Sequence, residues 1–265
     1  MLVVGERINS TRKHIREAVR ARNAEFIGGE AARQVAAGAD YVDVNAGTSV
    51  AHEAEDLKWL VQTVQSAVDA PLCIDSANPA ALKSALALAK KEVIINSITG
   101  EKARMDTMLP LVLESKSRVV ALIMDDRGIP EDLEGRLSAA EKLIPALEGA
   151  GVPRDKIYVD PLVRPVSTDV KQGGIVLETV RRVTAAWPGI HMICGLSNIS
   201  FGLPARNVLN SVFLALMIEA GLDSAIIDPT EPRMIATVAA AEALLGRDDF
   251  CMNYITAHRS DRFVM

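Results

Sequence analysis

The stretch AARQVAAGADYVDVNAG, residues 31–47, holds one complete unit of the fold. An Ala-rich helical run stops at Gly38, as a helix commonly does at a glycine just past its last turn. Tyr41–Asn45 then alternates β-branched and polar residues over a length that suits a short parallel strand. The strand closes on Asp43 and Asn45, two polar side chains where the chain leaves the sheet.

Working outward, the same unit recurs eight times. The predicted strands are Leu2–Glu6, Tyr41–Asn45, Leu72–Asp75, Val93–Asn96, Val119–Met124, Ile157–Asp160, Met192–Leu196 and Ser224–Asp228. Helical spacing of apolar residues predicts helices at Ala54–Val68, Pro79–Ala89, Ser138–Gly149 and Arg206–Ala220. Gly149 and Gly221 read as helix stops like Gly38. Strict alternation of strand and helix implies right-handed crossovers and a parallel sheet. Eight units in 265 residues fit an α/β fold, a single (β/α)8 TIM barrel. No Pro-, Gly- or Ser-rich linker divides residues 1–265, so one domain is expected. The chain is 49% hydrophobic but only 4% aromatic, which calls for the aliphatic interior of strands buried on both faces. An open doubly wound sheet would place a glycine-rich phosphate turn after the first strand. The sequence there is GERINS, without that pattern.

A net charge of −5 argues against nucleic acid or an anionic membrane as the main partner. The longest apolar run, Val212–Ile218, is too short to span a bilayer. The start, MLVVGERIN, lacks a basic leader before a long apolar stretch, so a cytoplasmic protein is expected. Cys73, Cys194 and Cys251 are scattered without zinc-ligand spacing. The first two fall within predicted strands and read as small core residues, so no metal site is expected. Gly28–Gly29 and Gly173–Gly174 read as loop glycines, and Met105–Met108 as the core side of a helix.

In a barrel of this kind the C-terminal strand ends surround the active site. Here they carry Glu6, Arg7 and Asn9, then Asp43 and Asn45, Asp75, Asn96, Asp160, Ser197 and Asn198, and finally Asp228. Asp, Asn and Ser also cap helices and form turns, and Asp228 and Ser76 suit that role alone. A whole ring of carboxylates and carboxamides around one mouth is costly without a polar ligand. A carboxylate accepts two hydrogen bonds side by side, and a carboxamide both donates and accepts. The pyrimidine edge of a pterin, with adjacent N–H and amino groups and a carbonyl, is a natural complement.

The strand-end segments GERIN, DVNAG, CIDS, INS, YVDPL and GLSNISFGLPARNVLN resemble those of the methyltetrahydrofolate:corrinoid protein methyltransferases and the folate module of cobalamin-dependent methionine synthase. The resemblance runs from residue 1 to about residue 245 and preserves motif order. It implies that Asp75, Asn96 and Asp160 bind the pterin, that Asn198 reaches N5 of the folate, and that Arg206 lies beside it. Asp43 and Ser197 join the folate-binding set by the same resemblance. It also implies methyltetrahydrofolate or tetrahydrofolate as substrate, and a homodimer.

The departing N5 would leave as an amide anion unless it is protonated or hydrogen-bonded as charge develops. Asn198 has no acidic proton, so it would strengthen a hydrogen bond while solvent supplies the proton. The acceptor would be a Co(I) corrinoid. No D-x-H-x-x-G pattern surrounds His14, His52, His191 or His258, so the cobalamin is expected on a separate corrinoid-binding protein docked over the mouth. The alternatives are a dihydropteroate synthase-like pterin enzyme and a non-catalytic folate-binding barrel. The former would need a different first loop and a basic set for diphosphate. Arg7 has three readings: pairing with Asp43, pairing with Asp228, or contacting substrate. The loop Pro161–Val170, longer than its neighbours, suits contact with the folate tail or the partner protein.

Overall fold

A computed structural model of the chain describes residues 1–47, 52–260 and 262–263. Eight parallel strands form one sheet: β1 (Leu2–Asn9), β2 (Tyr41–Asn45), β3 (Leu72–Asp75), β4 (Ile94–Thr99), β5 (Arg118–Leu122), β6 (Ile157–Asp160), β7 (His191–Met192) and β8 (Ser224–Ile227). Each pairs with its neighbour in sequence, and β1 pairs with β8. Between β7 and β8 the gap is bridged at Gly195–Ile226, where the Ile226 N–H donates to the Cys194 carbonyl at 2.9 Å. The sheet thus curls into a nearly closed (β/α)8 barrel, as the alternating pattern predicts.

Helices wrap the outside: α1 (Lys13–Arg20), α2 (Ala24–Ala36), α3 (Glu53–Ala67), α4 (Pro79–Leu86), α5 (Lys102–Ser115), α6 (Leu133–Gly149), α7 (Gln172–Ala186), α8 (Arg206–Ala220), α9 (Pro232–Leu244) and a terminal α10 (Met252–Arg259). Their starts follow local chemistry. Asn78 caps α4 by accepting from the N–H groups of Ala80 and Ala81, with Pro79 preset for the first turn. Among the described residues no helix is long and apolar enough to cross a membrane.

Several local readings change. The seventh strand is shorter than expected because Leu196–Ser200 coils into a 3-10 turn. Gly149 is still helical; the left-handed residue after α6 is Gly151, at φ +98°. Gly28–Gly29 and Gly173–Gly174 lie inside α2 and α7, not in loops. A side chain at Gly28 would begin 3.0 Å from the Ala67 Cβ, so that glycine lets α2 approach α3 closely. Met108 is buried as expected.

Inside the barrel the period of two along each strand stacks side chains in layers. Val4, Tyr41, Cys73, Ile94, Val120, Tyr158 and Ile193 form a closed apolar layer. Beneath it, the Arg118 guanidinium donates to the Tyr158 hydroxyl at 2.5 Å and lies over the rings of Tyr41 and Tyr158. Two residues further along the same strands come Glu6, Asp43, Asp75, Asn96, Leu122, Asp160 and Gly195. The apolar layer therefore floors a polar one.

Candidate functional site

The polar layer opens into a cavity of about 330 Å³ at the C-terminal end of the barrel. Asp43, Asp75, Asn96, Asp160, Ser197 and Asn198, all singled out from sequence, line this one cavity. Glu6, Arg12 and Ser197 are shared with an adjoining space of about 420 Å³, whose wall includes Arg206, Asn207, Asn210 and Met234. Arg206 thus stands on the rim and not among the carboxylates.

The carboxylates differ because their surroundings differ. Asp43 is 2% exposed, and its Oδ1 has no hydrogen-bond partner among the described residues. Burial pushes its carboxyl well above the usual range, and the charge of neighbouring Asp75 adds to the push. Asp75 is raised by burial too, opposed by Asn45, whose side-chain amide donates to Oδ2 at 2.8 Å. Asp160 accepts from the Leu162 N–H at 2.7 Å, yet burial still lifts it to about 6. A group near 6 is poised to change charge under physiological conditions. Cys73 is buried and reads as core, but its thiol also abuts Asp43, and burial pushes it up.

Asn198 sits in the 3-10 turn Leu196–Ser200 with its side chain exposed at the cavity lip. That turn is held from two sides. Arg206 donates to the Ser197 carbonyl at 2.6 Å and to the Ser200 hydroxyl at 3.0 Å. From the loop Pro161–Val170, the Val166 N–H donates to the Ile199 carbonyl at 3.0 Å, and Ser167 donates to the Phe201 carbonyl at 2.7 Å. That long loop therefore braces the Asn198 turn.

Arg7 takes the second of its three readings. It pairs with Asp228 at 2.8 Å and with Glu30 at 2.8 Å, locking β1 to α2 and to the end of β8. Asp228 also accepts from the Thr230 N–H at 3.0 Å, the turn role expected of it. Gly5 permits this junction, since a side chain there would meet Gln34 Oε1 at 2.4 Å, the atom that accepts from the Arg7 N–H.

Sequence reasoning put Glu6 and Asn9 in the ring at the mouth without giving them a binding role, and did not single out Thr11 or Arg12; all four line the cavity. Arg12 donates to one oxygen of Glu6 at 2.8 Å and Ser197 to the other at 3.3 Å. Burial raises the Glu6 carboxyl. The signal was present for Glu6: it lies two residues past Val4 and so faces the same interior. Arg12 carried no signal, because it follows the strand in a loop that only folding brings back.

Residues 5–228 match the sequence model of a family described as pterin binding enzymes. The chain is 37% identical over 264 residues to a methylcorrinoid:tetrahydrofolate methyltransferase of Eubacterium limosum, covering 99% of this chain and 97% of that protein. It is 34% identical over 240 residues to a methionine synthase of Mycobacterium tuberculosis, covering 86% of this chain but only 20% of that larger protein. Among solved structures, a dihydropteroate synthase of Yersinia pestis superposes with a TM-score of 0.73 at 13% identity, covering 93% of this chain and 94% of the other. A dihydropteroate synthase of Xanthomonas albilineans gives 0.69 at 17% identity, covering 92% of each. Likeness at that identity speaks to the fold alone.

Proposed function

This chain belongs to the pterin-binding enzymes, and from that premise we propose that it is a methyltransferase moving a methyl group between N5 of methyltetrahydrofolate and the cobalt of a corrinoid on a separate protein. The observation that carries this reading is the cavity itself. Asp43, Asp75, Asn96 and Asp160 crowd its inner end, and Asn198 stands free at its lip. The methylcorrinoid:tetrahydrofolate methyltransferase aligned along nearly the whole of both chains supports it.

The donor set fits a pterin. An ionised Asp75 or Asp160 can take adjacent N–H and amino hydrogens together. Asp43, held toward its neutral form, has a proton to offer and an oxygen in want of a partner. Asn96 can donate to the ring carbonyl. With the ring so anchored, N5 comes toward the lip, where Asn198 accepts or donates as the charge on nitrogen changes. Holding that amide ready in a braced turn removes reorganisation from the reacting step. A Co(I) corrinoid supplies the nucleophile, or a methylcorrinoid the methyl group. Glu6, Arg12 and Arg206 at the mouth stand where the remainder of the folate leaves the pocket.

The same reading makes a corrinoid-binding protein the partner and the cytoplasm the site of one-carbon metabolism served. It also makes the chain a homodimer. Val208, Val212 and Leu216 recur at every fourth position of α8 and are 47%, 56% and 46% exposed. With Leu244 at the end of α9 and Leu245 just past it, they form an apolar stripe of the kind that a second copy covers. Anaerobic stopped-flow absorbance tests the central claim, by mixing protein and methyltetrahydrofolate with Co(I) cobalamin. Rapid loss of the Co(I) band is expected. A persistent band, with either free cobalamin or a corrinoid protein, would rule the transfer out.

A further inference from the structure

Arg136, on α6, is 0% exposed and, among the described residues, has no carboxylate in its hydrogen-bonding shell. Its guanidinium donates to the carbonyl of Pro161 at 2.9 Å, to Gln172 Oε1 at 2.7 Å and, more weakly, to the carbonyl of Pro130 at 3.4 Å. A buried cation bonded only to neutral oxygens is costly, and here burial draws the guanidinium down to about 10. Ordinary helix packing would be served better by an apolar residue of that volume.

Three connections converge on it. Pro161 follows Asp160 directly, so its carbonyl belongs to the residue next to a carboxylate that lines the cavity. Gln172, itself 1% exposed, begins α7 and donates to Asp169 at 2.9 Å and to the Glu131 carbonyl. The segment between Pro161 and Gln172 is the loop that braces the Asn198 turn. Arg136 therefore ties both ends of that loop to α6. Its charge also faces Asp160. The other groups set against that carboxyl are the N–H groups of Leu162 and Gly195 and the thiol of Cys194. Arg136 in turn faces Arg164 and Asp132 besides Asp160.

We propose that Arg136 is a positioning residue of the substrate pocket, fixing the chain on either side of the loop after β6 and holding Asp160 as the carboxylate that receives the pterin. This rests on the functional reading above. The guanidinium never touches substrate; it acts through Asp160 and through the braced loop. A planar fork serving two separated acceptors explains why Arg stands here and not Lys.

The test is methyltetrahydrofolate affinity by titration calorimetry from about pH 5 to about pH 8, beside a thermal melt of each protein. Wild-type binding should weaken as pH falls through about 6, where Asp160 gains its proton. Arg136→Met should bind at least about tenfold more weakly at neutral pH, with the midpoint moved up by about one pH unit. Arg136→Lys should keep the wild-type midpoint yet lose roughly three- to tenfold in affinity. Gln172→Met, which leaves the charge in place, should weaken binding without moving the midpoint. A folded Arg136→Met protein with wild-type affinity and midpoint overturns the proposal. If that variant does not fold, an unchanged affinity in Gln172→Met overturns it instead. A wild type that binds no methyltetrahydrofolate defeats the functional reading itself, a distinct result.

Discussion

Asn45 donates its side-chain amide to Oδ2 of Asp75 at 2.8 Å across the β2–β3 register, so Asp75 meets the cavity with one oxygen already engaged. The bond favours the charged form of a carboxyl that burial disfavours. Asn45→Ala should therefore raise Asp75 further and leave it protonated nearer neutrality. Hydrogen bonds to charged groups are worth about 1.5–3 kcal/mol, which corresponds to roughly 10- to 100-fold in binding. Methyltetrahydrofolate affinity near neutral pH should fall by that factor and recover partly at higher pH. An affinity independent of the substitution would remove Asp75 from the pterin-binding set.

Asn198 makes no side-chain hydrogen bond to the described residues, so its removal leaves no partner stranded. Asn198→Ala should lower kcat by roughly 100- to 1,000-fold, as loss of one preorganised donor does elsewhere. Affinity for methyltetrahydrofolate should change little. Single-turnover stopped flow at saturating folate separates the two effects.

Asp160 carries a cost that its removal should reveal. Its carboxyl ionises at about 6 in the folded chain against 3.8 as an ordinary value. The folded state holds this proton more tightly than the unfolded state does. Stability therefore declines as pH rises between about 4 and about 6, and the full deficit of about 3 kcal/mol persists above that range. Asp160→Asn should melt several degrees higher than wild type at about pH 8 and show no such gain at about pH 4. It should also lose pterin binding. Differential scanning calorimetry at the two pH values checks the sign.

The stripe on α8 makes a separate prediction. Leu216→Glu puts a charge in the exposed apolar row and should convert a dimer to a monomer in sedimentation velocity. A wild type already monomeric at micromolar concentration would leave the stripe without that role.

The barrel was legible because each repeat states its own case: a helix, a stop, a short buried strand and a polar end. Asp43, Asp75, Asn96, Asp160 and Asn198 were legible as members of a ring for the same reason, since strand ends of a closed barrel converge whatever the details. What escaped depends on contacts between distant segments. Arg136 lies in the first turn of α6, ahead of the predicted helix Ser138–Gly149, where an arginine ordinarily faces water. Arg12 returns to Glu6 only once the first loop is folded. Arg7 had several acidic candidates, and only the placement of α2 made Glu30 one of its two partners. The β7 boundary failed because Met192–Leu196 is apolar like a strand, but β8 pairs it at a single bridge.

The apolar floor of Val4, Tyr41, Cys73, Ile94, Val120, Tyr158 and Ile193 has a consequence for the order of events. It closes the inner end of the cavity, so both visitors that the proposed reaction needs come to the mouth. The folate must be seated before the corrinoid protein covers the opening, and the spent folate can leave only after that protein has gone. Turnover then follows a queue at that mouth, and an excess of the carrier protein slows the enzyme by blocking it ahead of its substrate.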